Sequence, residues 1–273
     1  MIRVEKETTP HTLTNPNASP YPTLIAHRGA GKEAPENTLT AFRYGSQQGF
    51  TMFECDVKLS QDQELFLLHD TTLMRTTNGK GSAYEYSWDA LSRLDAGSWH
   101  SAQYSGEPLA RFESLINFIL NNHYLLDVEI KPNPGEAYKT GVATASFLQK
   151  KIIEYRSQIL DLPQPPFLLS SFAPEALQGA KEIAPEIPRA LLVNDWSQGE
   201  ATIFEQISQL SCSGIILNYQ IVSSEIIEKV HQMGGFIMVY TANECLQINK
   251  LLKMGVDSVI TDNMDLYNMD LSL

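Results

Sequence analysis

MFECDVKLSQDQELFLLHD, residues 52–70, contains two β-rich runs separated by only four polar residues, 60–63. A helical crossover between parallel strands needs roughly a dozen residues, so the two runs must be joined by a tight antiparallel turn. With Asp62 and Gln63 as a two-residue turn, Gln61 faces Glu64 and His69 lies opposite Asp56. Opposed residues share a face, and the period of two adds Glu54. Local arithmetic thus gathers Glu54, Asp56 and His69.

Outward from this hairpin, short apolar runs alternate with segments of helical period, the pattern of parallel strands joined by helices. The runs are TLIAHR (23–28), MFECDVKLS, ELFLLHD, LLDVEIK (125–131), FLLSSF (167–172), RALLVN (189–194), GIILNY (214–219), FIMVYTA (236–242) and DSVITD (257–262). Setting aside the hairpin arm ELFLLHD leaves eight, the strand count of a TIM (β/α)8 barrel, with a doubly wound open sheet as the alternative. Residues 71–111 break the alternation and read as an insertion on the catalytic face, where Trp88, Trp99 and Tyr104 are placed to cover the mouth. Residues 1–22 read as an N-terminal extension, and 23–273 as a single barrel domain.

The chain has 273 residues and a formal charge of -12, so its overall field repels nucleic acid and anionic membrane surfaces. Any phosphate bound here needs a local positive site. Residues 1–22 carry four prolines and no apolar run of signal-peptide type, and no stretch is long enough to span a bilayer. Cys55, Cys212 and Cys245 form no CxxC pair, so a reducing cytoplasm fits and stable membrane association is not expected.

In such barrels the chemistry gathers at the carboxyl ends of the strands. His27 and Arg28 end the first run, Glu54 and Asp56 the second, and Glu129 and Lys131 close EIK. Three carboxylates in one small space repel unless protons or a cation compensate, and an all-oxygen set suits Mg²⁺ or Ca²⁺. Separate salt bridges at the strand ends are the plainer alternative. A lone His27 would read as a core histidine, but two histidines beside carboxylates suit a general acid and a general base. Arg28 and Lys131 offer the charge that a phosphate requires. In PENT (35–38), Pro35 and Asn37 read first as a helix start, and Asn37 also as a brace for the site.

HRG at 27–29, PENT, ECDV at 54–57, HD at 69–70, EIK at 129–131, SSF at 170–172, VYTAN at 239–243 and GVDSVITD at 255–262 together resemble the glycerophosphodiester phosphodiesterase family of phospholipase C-like barrels. The resemblance implies a TIM barrel that uses a divalent metal to hydrolyse glycerophosphodiesters to sn-glycerol 3-phosphate and an alcohol. It implies Glu54, Asp56 and Glu129 as metal ligands, His27 and His69 as the acid-base pair, and Arg28 and Lys131 as phosphate contacts. The nucleophile is either water or the neighbouring glycerol hydroxyl. Phe172 and Tyr240, which stands where the family often has Trp, are candidates to pack on the glycerol portion, although strand-end aromatics more often belong to the core. A lipid phosphodiesterase would want an apolar or basic rim, and a silent phosphate-metabolite-binding barrel would lack a histidine or a carboxylate of the set. All of that set is present.

Overall fold

The computed structural model describes residues 19–156 and 165–268; most of the expected N-terminal extension lies outside them. Strands β1 (Leu24–Ala26), β2 (Met52–Leu59), β3 (Leu65–Leu67), β4 (Leu125–Ile130), β5 (Phe167–Ser171), β6 (Arg189–Val193), β7 (Gly214–Asn218), β8 (Phe236–Tyr240) and β9 (Ser258–Thr261) form one nine-stranded sheet. Strand β1 pairs in parallel with both β2 and β9, closing a barrel of eight parallel strands. Only β3 runs antiparallel, as an arm on β2. The protein is a TIM barrel, and the open-sheet alternative falls with that closure.

Strand alternation sorts side chains into two layers. Ile25, Met52, Leu168, Ala190, Ile216, Met238 and Ile260 fill the barrel interior. Their neighbours Phe53, Cys55, Val57, Leu126, Val128, Leu169, Ile215 and Val239 belong to the larger cluster under the helices. Among those helices are α1 (Leu39–Gln47), α2 (Trp88–Leu91), α3 (Phe112–Asn121), α4 (Ala137–Arg156) and α5 (Pro174–Ile183). Further along come α6 (Glu200–Gln209), α7 (Ser224–Gln232) and α8 (Cys245–Met254). Continuing the inward parity of Met52 up β2 brings Glu54, Asp56 and Lys58 to the carboxyl-end mouth. The parallel register sets Glu54 beside Asp127 and Asp56 beside Glu129.

The hairpin differs from expectation by one residue. Leu59 pairs with Leu65 and Val57 with Leu67, so the connection is three residues long, Gln61, Asp62 and Gln63, and Leu68 rather than His69 stands opposite Asp56. Gln63 takes the left-handed conformation at φ 68°. Ser60 stabilises this turn: its Oγ donates to Asp62 at 2.6 Å and accepts from the Glu64 amide at 2.9 Å. Three-residue hairpins with a left-handed last position are a common alternative to two-residue ones. The ladder then stops at Leu67, and the chain leaves it carrying His69 and Asp70.

The insertion has a small core of its own, with Phe66, Leu68, Leu73, Leu91 and Leu109 buried together. Trp88 packs on Phe66 there. Trp99 and Tyr104 flank the His100 ring, which meets the Lys32 carbonyl through Nε2 at 2.9 Å. The three aromatics therefore brace the insertion and the loop after β1, and the small cavity between His27, Glu54, Glu129, Phe172 and Tyr240 is lined by other residues.

That loop is pressed against the last strand. Gly31 has φ +54°, and a Cβ there would lie 2.2 Å from the Asp262 backbone. Gly31→Ala should therefore destabilise the protein by about 1–3 kcal/mol through overpacking alone. It should also lower activity, by displacing Asp262. Urea midpoints and turnover of the folded fraction would check both expectations.

Candidate active site

The first strand ends at Ala26, and His27–Gly29 turn sharply out of it through a kink at Arg28, which is left-handed at φ 51°. This bend aims the Arg28 amide into the mouth, where it donates to Glu54 Oε2 at 2.9 Å. Asn37, also left-handed at φ 59°, donates its own amide to the Arg28 carbonyl at 3.0 Å. The Asn37 side chain spans Asp56: Nδ2 donates to Asp56 Oδ2 at 2.7 Å, and Oδ1 accepts from the Asp56 amide at 3.1 Å. The helix cap is the next residue, Thr38, whose Oγ1 accepts from the Ala41 amide. Asn37 is thus the brace, and Thr38 begins the helix.

Glu54, Asp56 and Glu129 are all buried, and one oxygen from each lies within 4.8 Å of the others. Glu54 Oε1 and Asp56 Oδ1 accept no hydrogen bond among the described residues. Arg28 Nε stands 3.1 Å from Asp56 Oδ2, and Lys131 Nζ stands 2.6 Å from Glu129 Oε1 and 3.8 Å from Asp56 Oδ1. Two cations therefore serve three acids. Beside them lies a fourth, Asp127, which accepts from Ser170 Oγ at 2.7 Å.

Burial dominates the titration of this group. Desolvation, reinforced by Asp56 and then Glu129, pushes Glu54 well above the usual carboxylate range. Desolvation with repulsion from Asp56 raises Glu129 to about 7, and desolvation alone accounts for most of the rise of Asp127 to about 8. Asp56 is equally buried, yet Arg28, Lys131, His69 and the Asn37 hydrogen bond outweigh desolvation and hold it at about 2. Such a set favours protons or a cation in its midst. The unused oxygens of Glu54 and Asp56, both hard donors, suit a divalent ion.

Each histidine is paired with an aspartate through Nδ1. His27 Nδ1 lies 2.6 Å from Asp262 Oδ1, and His69 Nδ1 lies 2.7 Å from Asp70 Oδ1. A carboxylate only accepts, so Nδ1 carries the proton in both rings and Nε2 of the neutral ring is a base. His27 Nε2 stands 3.7 Å from Glu54 Oε2. Burial first, then Arg28 and Lys131, lower the pKa of His69 despite the opposing pull of Asp56. Phe172 and Tyr240 meet edge to face at 5.9 Å between centroids, and Lys131 Nζ lies 5.4 Å from the Phe172 ring centre. Both aromatics line the mouth together with His27, Glu54 and Glu129. The structure thus brings together the residues that the sequence singled out.

Several neighbours were not singled out. Asp127 is two positions from Glu129 on the same face, so the strand period could have exposed it. Asp262 ends a strand run as His27 does, a position that the strand-end rule covers. Lys58 follows Glu54 and Asp56 in the same parity; it is buried, desolvation lowers it to about 8, and its Nζ donates to the Lys131 carbonyl at 3.5 Å. Glu36 and Arg75 carry no local signal.

A barrel mouth in which crowded acids suit a cation, beside a guanidinium and an ammonium suited to phosphate, fits the class of phosphoric diester hydrolases. The sequence pattern of the glycerophosphoryl diester phosphodiesterase family matches residues 27–266, and the chain belongs to this family. A phosphodiesterase from Oleispira antarctica, whose structure is a complex with the product sn-glycerol-3-phosphate, is 32% identical. It superposes with a TM-score of 0.80 over 90% of this chain and 95% of that one. The glycerophosphodiester phosphodiesterase of Caldanaerobacter subterraneus is 27% identical over 88% of this chain and 93% of its own length. A putative glycerophosphodiester phosphodiesterase of Bacillus subtilis is 28% identical over 90% and 97%, respectively.

Asn37 gives a direct test of this geometry. Asn37→Ala removes both hydrogen bonds to Asp56 and should weaken Mg²⁺ or Ca²⁺ affinity, activity, or both by roughly 10- to 100-fold, the usual cost of losing a ligand's supporting partner. Calorimetric titration with each ion, alongside turnover, would measure it. Unchanged values would show that Asp56 is held adequately by its neighbouring cations, Arg28 and Lys131.

Proposed function

We propose that the chain hydrolyses glycerophosphodiesters to sn-glycerol 3-phosphate and an alcohol, with Mg²⁺ or Ca²⁺ held by Glu54, Asp56 and Glu129. The observation that carries this reading is the convergence of three buried carboxylates, two of which keep an oxygen without a hydrogen bond. Such oxygens are costly to bury unless a cation takes them. When bound, the ion supplies positive charge to a nonbridging phosphate oxygen and offsets charge that grows in the transition state.

The protein's own groups supply the remainder. Arg28 and Lys131, each already beside the carboxylates, contact the phosphate and set its orientation. One of His27 and His69, neutral, accepts at Nε2 the proton of the attacking hydroxyl, while the other, entering as imidazolium, gives its Nε2 proton to the leaving alkoxide, so the two exchange protonation states. Asp262 and Asp70 keep Nδ1 protonated and orient each ring so that Nε2 is the nitrogen that exchanges the proton. Phe172 and Tyr240 give the glycerol carbons an apolar wall. We place the enzyme in the cytoplasm as one barrel domain acting on small substrates. Its three free cysteines support that placement, since a reducing compartment keeps thiols unpaired.

The test is release of glycerol 3-phosphate from a panel of glycerophosphodiesters, with phospholipid vesicles included as the lipid alternative. Excess chelator should abolish turnover, and Mg²⁺ or Ca²⁺ should restore it. Full activity of metal-free protein would refute the carboxylate assignment, and turnover of vesicles alone would favour a lipid phosphodiesterase.

The histidines are tested separately. His27→Ala and His69→Ala should each lower kcat by roughly 100-fold or more, with smaller effects on KM. The double variant should lose less than the product of the two. Metal content is measured in each, because a histidine that merely supports Glu54 would mimic catalytic loss by releasing the ion.

A further inference from the structure

At the start of the insertion, Arg75 is bonded along two edges of its guanidinium. Nε and NH2 donate to the two oxygens of Asp70 at 2.7 and 2.9 Å, while NH1 and NH2 donate to those of Glu36 at 2.6 and 2.8 Å. Asp70 in turn engages His69 Nδ1 at 2.7 Å. Glu36 accepts from Arg28 NH1 at 2.8 Å, and Arg28 reaches Asp56. One unbroken run of charge-assisted hydrogen bonds therefore links the imidazole on the hairpin arm to the guanidinium on the loop after β1.

We infer that Arg75 is a positioning residue for the hydrolysis, a clamp that sets the His69 ring and the Arg28 guanidinium at a fixed separation across the bound phosphate. The inference rests on the proposed roles of His69 and Arg28. Neither residue is held by the barrel alone. His69 has left the β2–β3 ladder, which ends at Leu67, and Arg28 sits on a left-handed turn beyond the last residue of β1. Arg75 ties those two departures together. A planar fork with donors on two edges can hold two carboxylates at once, whereas the single ammonium of lysine cannot fix both orientations. Stability alone gives a weak account of so many bonds. The Arg75 side chain is 43% exposed, and ion pairs at such positions add little to folding.

The test uses metal-loaded enzyme and the best substrate of the panel. Arg75→Ala should lower kcat by roughly 10- to 100-fold, as losing the partner of a working group does. The bound ion and the melting temperature should change little. Because the side chain is half exposed, millimolar guanidinium should restore part of the lost rate. Arg75→Lys should fall between parent and alanine variant. In a His69→Ala background, Arg75→Ala should cost less than in the parent, since part of its effect runs through that ring. A near-parental kcat in Arg75→Ala would overturn the inference. So would a loss that guanidinium does not relieve, that persists in full without His69 and that comes with a lowered melting temperature, since a structural strut behaves that way. If His69→Ala itself kept its kcat, the role given to His69 would fall and the clamp with it; loss at His69 with none at Arg75 would sink the clamp alone.

Discussion

Crowding of like charge at the barrel mouth is the constraint on which the rest depends. Two carboxylates within 4.8 Å of each other repel by about 3–4 kcal/mol at an effective dielectric constant of about 20, and Glu54, Asp56 and Glu129 form three such pairs. Domain stability is of similar size, about 5–15 kcal/mol, so the mouth cannot hold these charges unopposed. The surroundings oppose them piecemeal. Arg28 and Lys131 lie alongside, and Asn37 gives Asp56 a donor. What these neighbours leave unmet, on Glu54 and Asp56, is a pair of oxygens of the kind a hard cation takes.

Placing the basic groups so close requires backbone that ordinary strands do not supply. The chain leaves β1 through a left-handed Arg28, folds back so that left-handed Asn37 bonds the Arg28 carbonyl, and then begins α1 at Thr38. Gly31 lets this loop lie against the end of β9. Such conformations cost free energy for non-glycine residues, and they persist here because each is tied to a carboxylate or a carbonyl of the site.

The two histidine–aspartate pairs reach the same Nδ1–carboxylate geometry by different routes. Asp70 is the chain neighbour of His69. Asp262 is 235 positions from His27, and the two meet because Ala26 pairs with Thr261 where the barrel closes, so the next residue of each strand stands beside the other. Closure therefore builds the pair of His27 and Asp262, one of the two to which the acid-base role is proposed. The insertion contributes differently, through Arg75 on its first turn and through Trp99, His100 and Tyr104 against the loop after β1.

Strand period and strand ends were enough to read the barrel, the hairpin arm and the residues facing the mouth, because alternation in a strand and the short 60–63 connection are local facts that tertiary packing does not reverse. Glu54, Asp56, Glu129, His27, Arg28 and Lys131 were legible for that reason, whereas His69 was set beside Asp56 by a hairpin register that the structure shifts by one residue. That register was not legible, since two- and three-residue turns differ by a single left-handed residue, Gln63, and by the hydrogen bonds that Ser60 makes. His69 approaches Asp56 closely enough to affect its ionisation only because the chain leaves the ladder early. Asp262 and the Glu36–Arg75–Asp70 clamp depend on segments that meet only after the sheet has closed and the insertion has folded, and no periodicity records a contact of that kind. Sequence alone determined which side chains would point into the mouth; tertiary structure decided which of them share a proton or a charge, because those distances are set by closure and by loops whose conformations are held from outside themselves.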